Sequence, residues 1–119
     1  MEESAESARK LVRAALVAWQ LEELAEAGSL VVTELVANSV QQTNSRHIQV
    51  AVLRRSEGFV RIAVADSARI APTMAQPAQD LPTSGRGLLI ISALAEHWGT
   101  DIHRFGKQVW AELVWESAA

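Results

Sequence analysis

Two runs of alternating apolar residues constrain the fold of this chain more strongly than any other sequence feature. The apolar positions are Ile48, Val50 and Val52 in the first run and Val60, Ile62 and Val64 in the second. The turn-like segment Ser56-Glu57-Gly58 separates the runs, so the pattern predicts a β-hairpin with one buried face. Because strand side chains alternate between the two faces of a sheet, Asp66 is expected on the same buried face.

Helical spacing of apolar residues predicts three helices around this hairpin. They span about residues 8–19, 29–43 and 85–97, and Ser29 is the expected N-cap of the second. Two further strands are expected at residues 100–105 and 109–115, and Gly106-Lys107 is the expected turn between them. This order predicts an α+β, two-layer α/β sandwich with the helices packed on one face of a mixed, mostly antiparallel sheet.

Composition and charge narrow the class of protein. The 119 residues fit a single domain, and 49% apolar with 21% charged residues is typical of a globular chain. A net charge of −3 gives no electrostatic footprint for wrapping nucleic acid or lying on an anionic membrane. The chain has no cysteine, no apolar run near the ~20 residues that span a bilayer, and an acidic start at Met1-Glu2-Glu3. These features predict a cytoplasmic protein.

Two polar residues interrupt the apolar surface of the second predicted helix. Glu34 and Asn38 lie about 40° apart on a helical wheel, between Leu30 and Val31. Because an unpaired buried polar group is costly, both side chains need partners. The amide oxygen of Asn38 suits Mg²⁺, and Glu34 could then stand beside a water or a substrate hydroxyl. The alternative is a purely structural carboxylate and a capped amide.

Asp66 stands between the end of a strand and a proline-rich segment. Residues 67–84 carry all three prolines and show no sustained period, which predicts a long loop or lid. An inward carboxylate at this point suits a contact to the exocyclic amine of adenine. The alternative is an aspartate that caps the start of the loop.

The segment Ser84-Gly85-Arg86-Gly87-Leu88 opens the third predicted helix. Its glycines allow backbone amides to approach a phosphate at the positive end of the helix. It is neither a phosphate loop with a lysine-serine ending nor a dinucleotide fingerprint. A flexible turn with a solvated Arg86 is the alternative.

Taken in order, these segments resemble the ATP-binding domain shared by histidine kinases, Hsp90-type chaperones, DNA gyrase and MutL repair proteins. The similarity is closest to the stand-alone anti-sigma-factor branch, and it covers about residues 8–115. The matching segments are Glu34-Leu35-Val36-Ala37-Asn38, Val64-Ala65-Asp66, Ser84-Gly85-Arg86-Gly87-Leu88, Trp98-Gly99 and Gly106-Lys107-Gln108-Val109-Trp110.

The resemblance implies an ATP pocket between the sheet and the helices. Asn38 would bind magnesium, Asp66 would contact adenine, and residues 84–88 would close over the phosphates. Glu34 would be the general base that activates a serine hydroxyl of a partner. The branch implies a serine/threonine protein kinase and anti-sigma factor that acts on an anti-anti-sigma (STAS-type) protein, with a sigma factor as a further partner and a homodimer as its assembly.

The chain departs from the family pattern at three places near the expected nucleotide. Gln41-Gln42 replaces a basic residue and histidine, Ser67-Ala68 follows the aspartate where many relatives carry glycine, and Gln108 replaces a small hydroxyl residue. The alternative function is therefore an interaction module that keeps the fold and binds a regulatory partner without catalysis. An unrelated α+β ligand-binding domain is a third hypothesis.

Overall fold

The chain forms a layer of helices against a four-stranded sheet. A computed structural model describes residues 2–42, 48–66, 83–104 and 106–115. The helices are α1 (Glu2–Ala18), α2 (Ala25–Gln42) and α3 (Thr83–Leu94), and a short 3₁₀ helix (Glu22–Leu24) precedes α2. The strands are β1 (Gln49–Ser56), β2 (Phe59–Asp66), β3 (His97–His103) and β4 (Gly106–Val114).

Helix α1 ends in a hydrogen-bonded motif that turns the chain toward α2. The backbone N–H of Leu21 donates to the carbonyl of Leu16 at 2.7 Å, and that of Gln20 donates to Val17 at 3.0 Å. Gln20 has a φ of 60°, so this is a Schellman ending with the left-handed residue just past the helix. Leu16 and Leu21 are both buried, which gives the motif its apolar contact.

Helix α2 begins earlier than the sequence predicts. Gly28-Ser29 was expected to precede the helix, yet both residues lie inside it, so Ser29 is not an N-cap. A Cβ on Gly28 would stand 3.0 Å from Cγ1 of Val12 and 3.3 Å from Cδ1 of Leu16. The glycine therefore allows close packing of α2 on α1, and this tertiary contact outweighs its low helix propensity.

The predicted hairpin is present, although β1 begins at Gln49, after Ile48, and includes Ser56, which was expected in the turn. Strand β1 pairs antiparallel with β2, so that Val52 faces Ile62 and Val50 faces Val64. Gly58 closes the turn with a φ of 73°, and a Cβ there would come within 2.6 Å of the carbonyl oxygen of Trp115. Glycine is thus required at this position by both conformation and space.

The last part of the sheet differs from the prediction at two boundaries. The third helix was expected to reach His97, but α3 ends at Leu94 and His97-Trp98-Gly99 begins β3. Lys107 was interpreted as a turn residue, but it belongs to β4. The sheet order is β1-β2-β4-β3, and the pairings among the described strands are antiparallel.

One buried core joins the helices to one face of the sheet. The core residues come from α1, the segment before α2, α2, β2, α3 and β4: Ala8, Val12, Leu16, Leu21, Leu24, Val31, Val32, Leu35, Val36, Val60, Ile62, Val64, Ile91, Val109, Ala111 and Leu113. The α+β two-layer architecture is therefore confirmed. None of the helices in the described ranges has both the length and the apolar character needed to cross a membrane.

Candidate functional site

Asn38 is held in the interior by α2. Its residue surface is 2% exposed, and its Oδ1 atom has no hydrogen-bond partner among the residues that the structure describes. An unsatisfied buried acceptor costs about 1 to 3 kcal/mol, so the arrangement is unfavourable unless another donor or a cation completes it. The amide oxygen of Asn38 therefore fits the role of a ligand to a hard cation such as Mg²⁺.

Glu34 lies one helical turn before Asn38 but is more exposed than the helical wheel predicts. The sequence places it within an apolar arc, whereas the structure leaves it partly accessible. The reason is that Leu30, on the same side of α2, is 50% exposed, so this edge of the helix is not fully covered by described residues. A partly accessible carboxylate one turn from an inward amide can meet a group that arrives from solvent.

Asp66 ends β2 on the face covered by the helices, as its parity predicts. Its carboxylate is fully buried and pairs with the ammonium of Lys107, whose Nζ lies 3.0 Å from Oδ1 and 2.9 Å from Oδ2. The two residues stand directly opposite each other on β2 and β4. The buried Asp66 carboxylate is thus paired with the Lys107 ammonium, a residue that the sequence analysis did not identify as part of the site.

Lys107 was missed because it was assigned to a turn. Once β4 is known to begin at Gly106, the alternation that buries Val109, Ala111 and Leu113 also turns Lys107 inward. Extending the strand backward by two residues would have revealed a lysine on the buried face, opposite an aspartate on the buried face.

The third predicted segment lies in the first turns of α3. Residues Ser84 to Leu88 are helical, which agrees with their predicted place at the start of the helix, and the structure describes only their backbone. Of the predicted loop or lid at residues 67–84, residues 67–82 lie outside the described residues, and Thr83 and Ser84 belong to α3. The contacts of Ser84, Gly85, Arg86, Gly87 and Leu88 with phosphate stay a prediction.

The elements that carry the predicted site residues are neighbours. Helix α2 packs against both β2 and α3, so the helix of Glu34 and Asn38 lies between the strand of Asp66 and the helix that opens with residues 84–88. The third hypothesis, in which the hairpin and helices have another topology, loses its support. Convergence of the side chains on one ligand stays a prediction.

The described residues contain no histidine cluster for a metal ion. His47 lies outside the described residues, and His97 is exposed at the start of β3. Across the part of the chain that the structure describes, no group of three His, Cys, Asp or Glu residues could hold a metal ion. A cation at Asn38 would therefore need oxygens from its own ligand and from water, which is the usual situation for Mg²⁺ on a phosphate.

The opposite face of the sheet carries a second cross-strand ion pair. Arg61 donates to Oε2 of Glu112 from Nε at 2.9 Å and from one terminal nitrogen at 2.6 Å. The same guanidinium lies 4.2 Å from the centre of the Trp110 ring, within the range of a cation–π contact. This cluster is on the face away from the helices, so it does not contribute to the candidate site.

Comparison with known families gives one result. Residues 1–115 match the family model of the histidine kinase-like ATPase domain, which is almost the whole chain. No curated protein matches the sequence.

Proposed function

Because the chain belongs to the histidine kinase-like ATPase domain family, we propose that it binds ATP with magnesium and acts as a serine/threonine protein kinase and anti-sigma factor. Its partner would be a small anti-anti-sigma protein of the STAS type that presents a serine or threonine hydroxyl. A sigma factor would be the second partner, held inactive by the same domain. Compared with a partner-binding module without catalysis, a kinase gives a role to more of the predicted site residues.

The observation that carries the proposal is the unpartnered Oδ1 of Asn38. This buried oxygen is held on α2 with no donor among the described residues, so a ligand cation would remove an existing energetic cost. Magnesium bound there would neutralise charge on the triphosphate and align its terminal phosphoryl group. The exocyclic amine of adenine would donate to Asp66.

Glu34 supplies the proton chemistry in this proposal. Its carboxylate accepts the proton of the partner's hydroxyl as the hydroxyl oxygen forms a bond to the terminal phosphorus of ATP. The bond from that phosphorus to the bridging oxygen breaks, and ADP leaves with the electron pair. A positioned general base contributes roughly a hundredfold to ten-thousandfold in rate.

The experiment is phosphoryl transfer from labelled ATP by the Glu34→Ala variant. ATP affinity is expected to stay within about twofold of the wild type, while transfer to the partner falls by roughly a hundredfold or more. Glu26→Ala, an exposed glutamate in the first turn of α2, is the matched control and is expected to retain full transfer. Retained transfer by Glu34→Ala would contradict the role of the base.

One observation favours the second candidate, a partner-binding module without catalysis. Asp66 already accepts from Lys107 on both oxygens, so the base-recognition end of the site contains an internal cation. Titration of the folded protein with ATP and magnesium, followed by tryptophan emission or melting temperature, separates the two functions. If the protein is a kinase, tryptophan emission or melting temperature should change saturably with ATP. If it is a partner-binding module, neither should change.

A further inference from the structure

We propose that Lys107 is a positioning residue that sets the base preference of the nucleotide site by holding the Asp66 carboxylate in a fixed orientation as a hydrogen-bond acceptor. This inference rests on the proposed function, because it takes Asp66 as the contact to adenine. It adds to the site a residue that the sequence analysis assigns to a turn and to which the family resemblance assigns no function.

The geometry fixes the orientation of the carboxylate. The ammonium of Lys107 is 3.0 Å from one oxygen of Asp66 and 2.9 Å from the other, so it bridges both. Both side chains are 0% exposed, and the two residues are direct partners in the β2–β4 ladder. Rotation of the carboxylate would break at least one of these contacts, so the backbone pairing fixes the direction in which the carboxylate accepts.

The charge of Lys107 keeps the carboxylate an acceptor. An ammonium has three donors and no acceptor, while an ionised carboxylate has about four acceptor positions and no donor. Lys107 uses one of these positions on each oxygen. Without the cation, the carboxylate would lose both contacts and turn toward another donor, because an isolated charge is very costly in the interior.

An acceptor-only carboxylate discriminates between purine bases. It can accept from the exocyclic amine of adenine, whereas it repels the carbonyl oxygen that hypoxanthine and guanine carry at the same position. A carboxylate that has turned away from the base would lose the discrimination. Lys107 therefore contributes to selectivity without a contact to the base.

The experiment measures the affinities for ATP and for ITP, which carries hypoxanthine in place of adenine, by calorimetric titration in the presence of magnesium. The wild type is expected to prefer ATP by roughly tenfold to a hundredfold, the selectivity of one hydrogen bond to a charged group. Lys107→Met is expected to lower this preference by at least about tenfold, toward equal binding. A purely structural role would weaken both nucleotides in the same proportion and leave the ratio unchanged.

Arg61→Met is the matched control. It removes the cation of the other ion pair between β2 and β4, which also joins directly opposed residues but lies on the far face of the sheet. It is expected to keep the wild-type ratio of ATP to ITP affinity. A loss of preference in this variant equal to that in Lys107→Met would overturn the inference, because any weakening of the ladder would then suffice.

A second variant decides the question if Lys107→Met does not fold. Lys107→Gln keeps a donor for Asp66 but removes the charge, and its preference for ATP is expected to fall between that of the wild type and equal binding. If the variant that folds keeps the wild-type ratio of ATP to ITP affinity, the inference about Lys107 is overturned while the proposed function stands. A folded wild type that binds neither nucleotide would overturn the proposed function, and this inference with it.

Discussion

Strands β2 and β4 carry two ion pairs with the same register and opposite surroundings. Asp66 and Lys107 are direct partners on the helix-covered face, and both side chains are 0% exposed. Arg61 and Glu112 are direct partners on the other face, with side chains 21% and 9% exposed. Because both pairs belong to one continuous antiparallel ladder, the comparison sets a fully buried ion pair beside a less buried one in the same two strands.

The two faces also differ in what holds each pair. On the covered face, Lys107 and Asp66 bind each other within the interior. On the open face, Arg61 divides its contacts between the carboxylate of Glu112 and the ring of Trp110. The open-face cation therefore has water and an aromatic ring as alternatives, whereas the covered-face cation has a counter-charge that it cannot easily replace. The first pair is fully buried, whereas the second is part-buried.

The largest effect is expected from breaking the covered pair. Lys107→Met leaves the Asp66 carboxylate buried without its cation, and loss of one partner of a buried pair costs about 3 to 5 kcal/mol. The free energy of unfolding, from urea titration followed by tryptophan emission, measures this cost.

The double variant Asp66→Leu with Lys107→Met is the control for that measurement. Replacement of both charges by apolar groups of similar size is often neutral or stabilising, so the double variant should recover most of the loss. If Lys107→Met alone were as stable as the wild type, the expected cost of leaving the Asp66 carboxylate buried without its cation would be contradicted.

An intermediate effect is expected from crowding the open face. A Cβ on Gly99 would stand 2.7 Å from Cζ2 of Trp110, which is too close for an ordinary contact. Gly99→Ala should therefore destabilise the fold by about 1 to 3 kcal/mol, the usual cost of overpacking. The penalty should largely disappear in a Trp110→Phe background, because the smaller ring lacks that atom. An equal penalty in both backgrounds would place the cause elsewhere.

The smallest effect is expected from breaking the open-face pair. Arg61→Met removes a part-exposed ion pair and a cation–π contact, together worth about 0.5 to 1.5 kcal/mol. Added salt should reduce the contribution of the ion pair further, so wild type and variant should converge in stability between low and high ionic strength. A loss as large as that of Lys107→Met would show that position in the ladder, and not burial, determines the effect.

The sequence was sufficient for the hairpin because its signal is local. The alternation of Val50 and Val52 with Ile62 and Val64 specifies which face is buried, and a register slip by one residue would expose the whole set. The same reasoning correctly turned Asp66 inward. The α+β order followed from the same kind of local pattern.

The errors arose where tertiary contacts outweigh local preference. Gly28 reads as a helix breaker, yet it lies within α2 because a close approach of α1 needs a residue without Cβ. Trp98-Gly99 reads as a break between elements, yet Gly99 is a strand residue whose missing side chain accommodates the Trp110 ring. In both cases the glycine is needed because a side chain from another element packs close to its Cα. A single sequence does not show which residues from other elements come so close.

The inward placement of Asn38 and Asp66 could be predicted from the sequence, whereas the partial exposure of Glu34 and the burial of Lys107 could not. Asn38 and Asp66 could be recognised because polar residues at apolar positions need partners. Lys107 could not, because Gly106-Lys107 has the composition of a turn. Only the pairing of β4 with β2 places its ammonium on the Asp66 carboxylate.

The most direct test of the account is a calorimetric titration of ATP into the wild type and the Asn38→Ala variant, each with and without magnesium. The wild type is expected to bind ATP in a magnesium-dependent manner, and Asn38→Ala is expected to lose at least about tenfold in affinity, since the variant lacks the amide oxygen of a charge-assisted contact. Ser39→Ala, which removes a neighbouring buried hydroxyl that also has no partner among the described residues, should bind like the wild type. If the folded wild-type protein does not bind ATP, or if Asn38→Ala binds ATP as tightly as the wild type, the proposed role of Asn38 in magnesium-dependent ATP binding is contradicted.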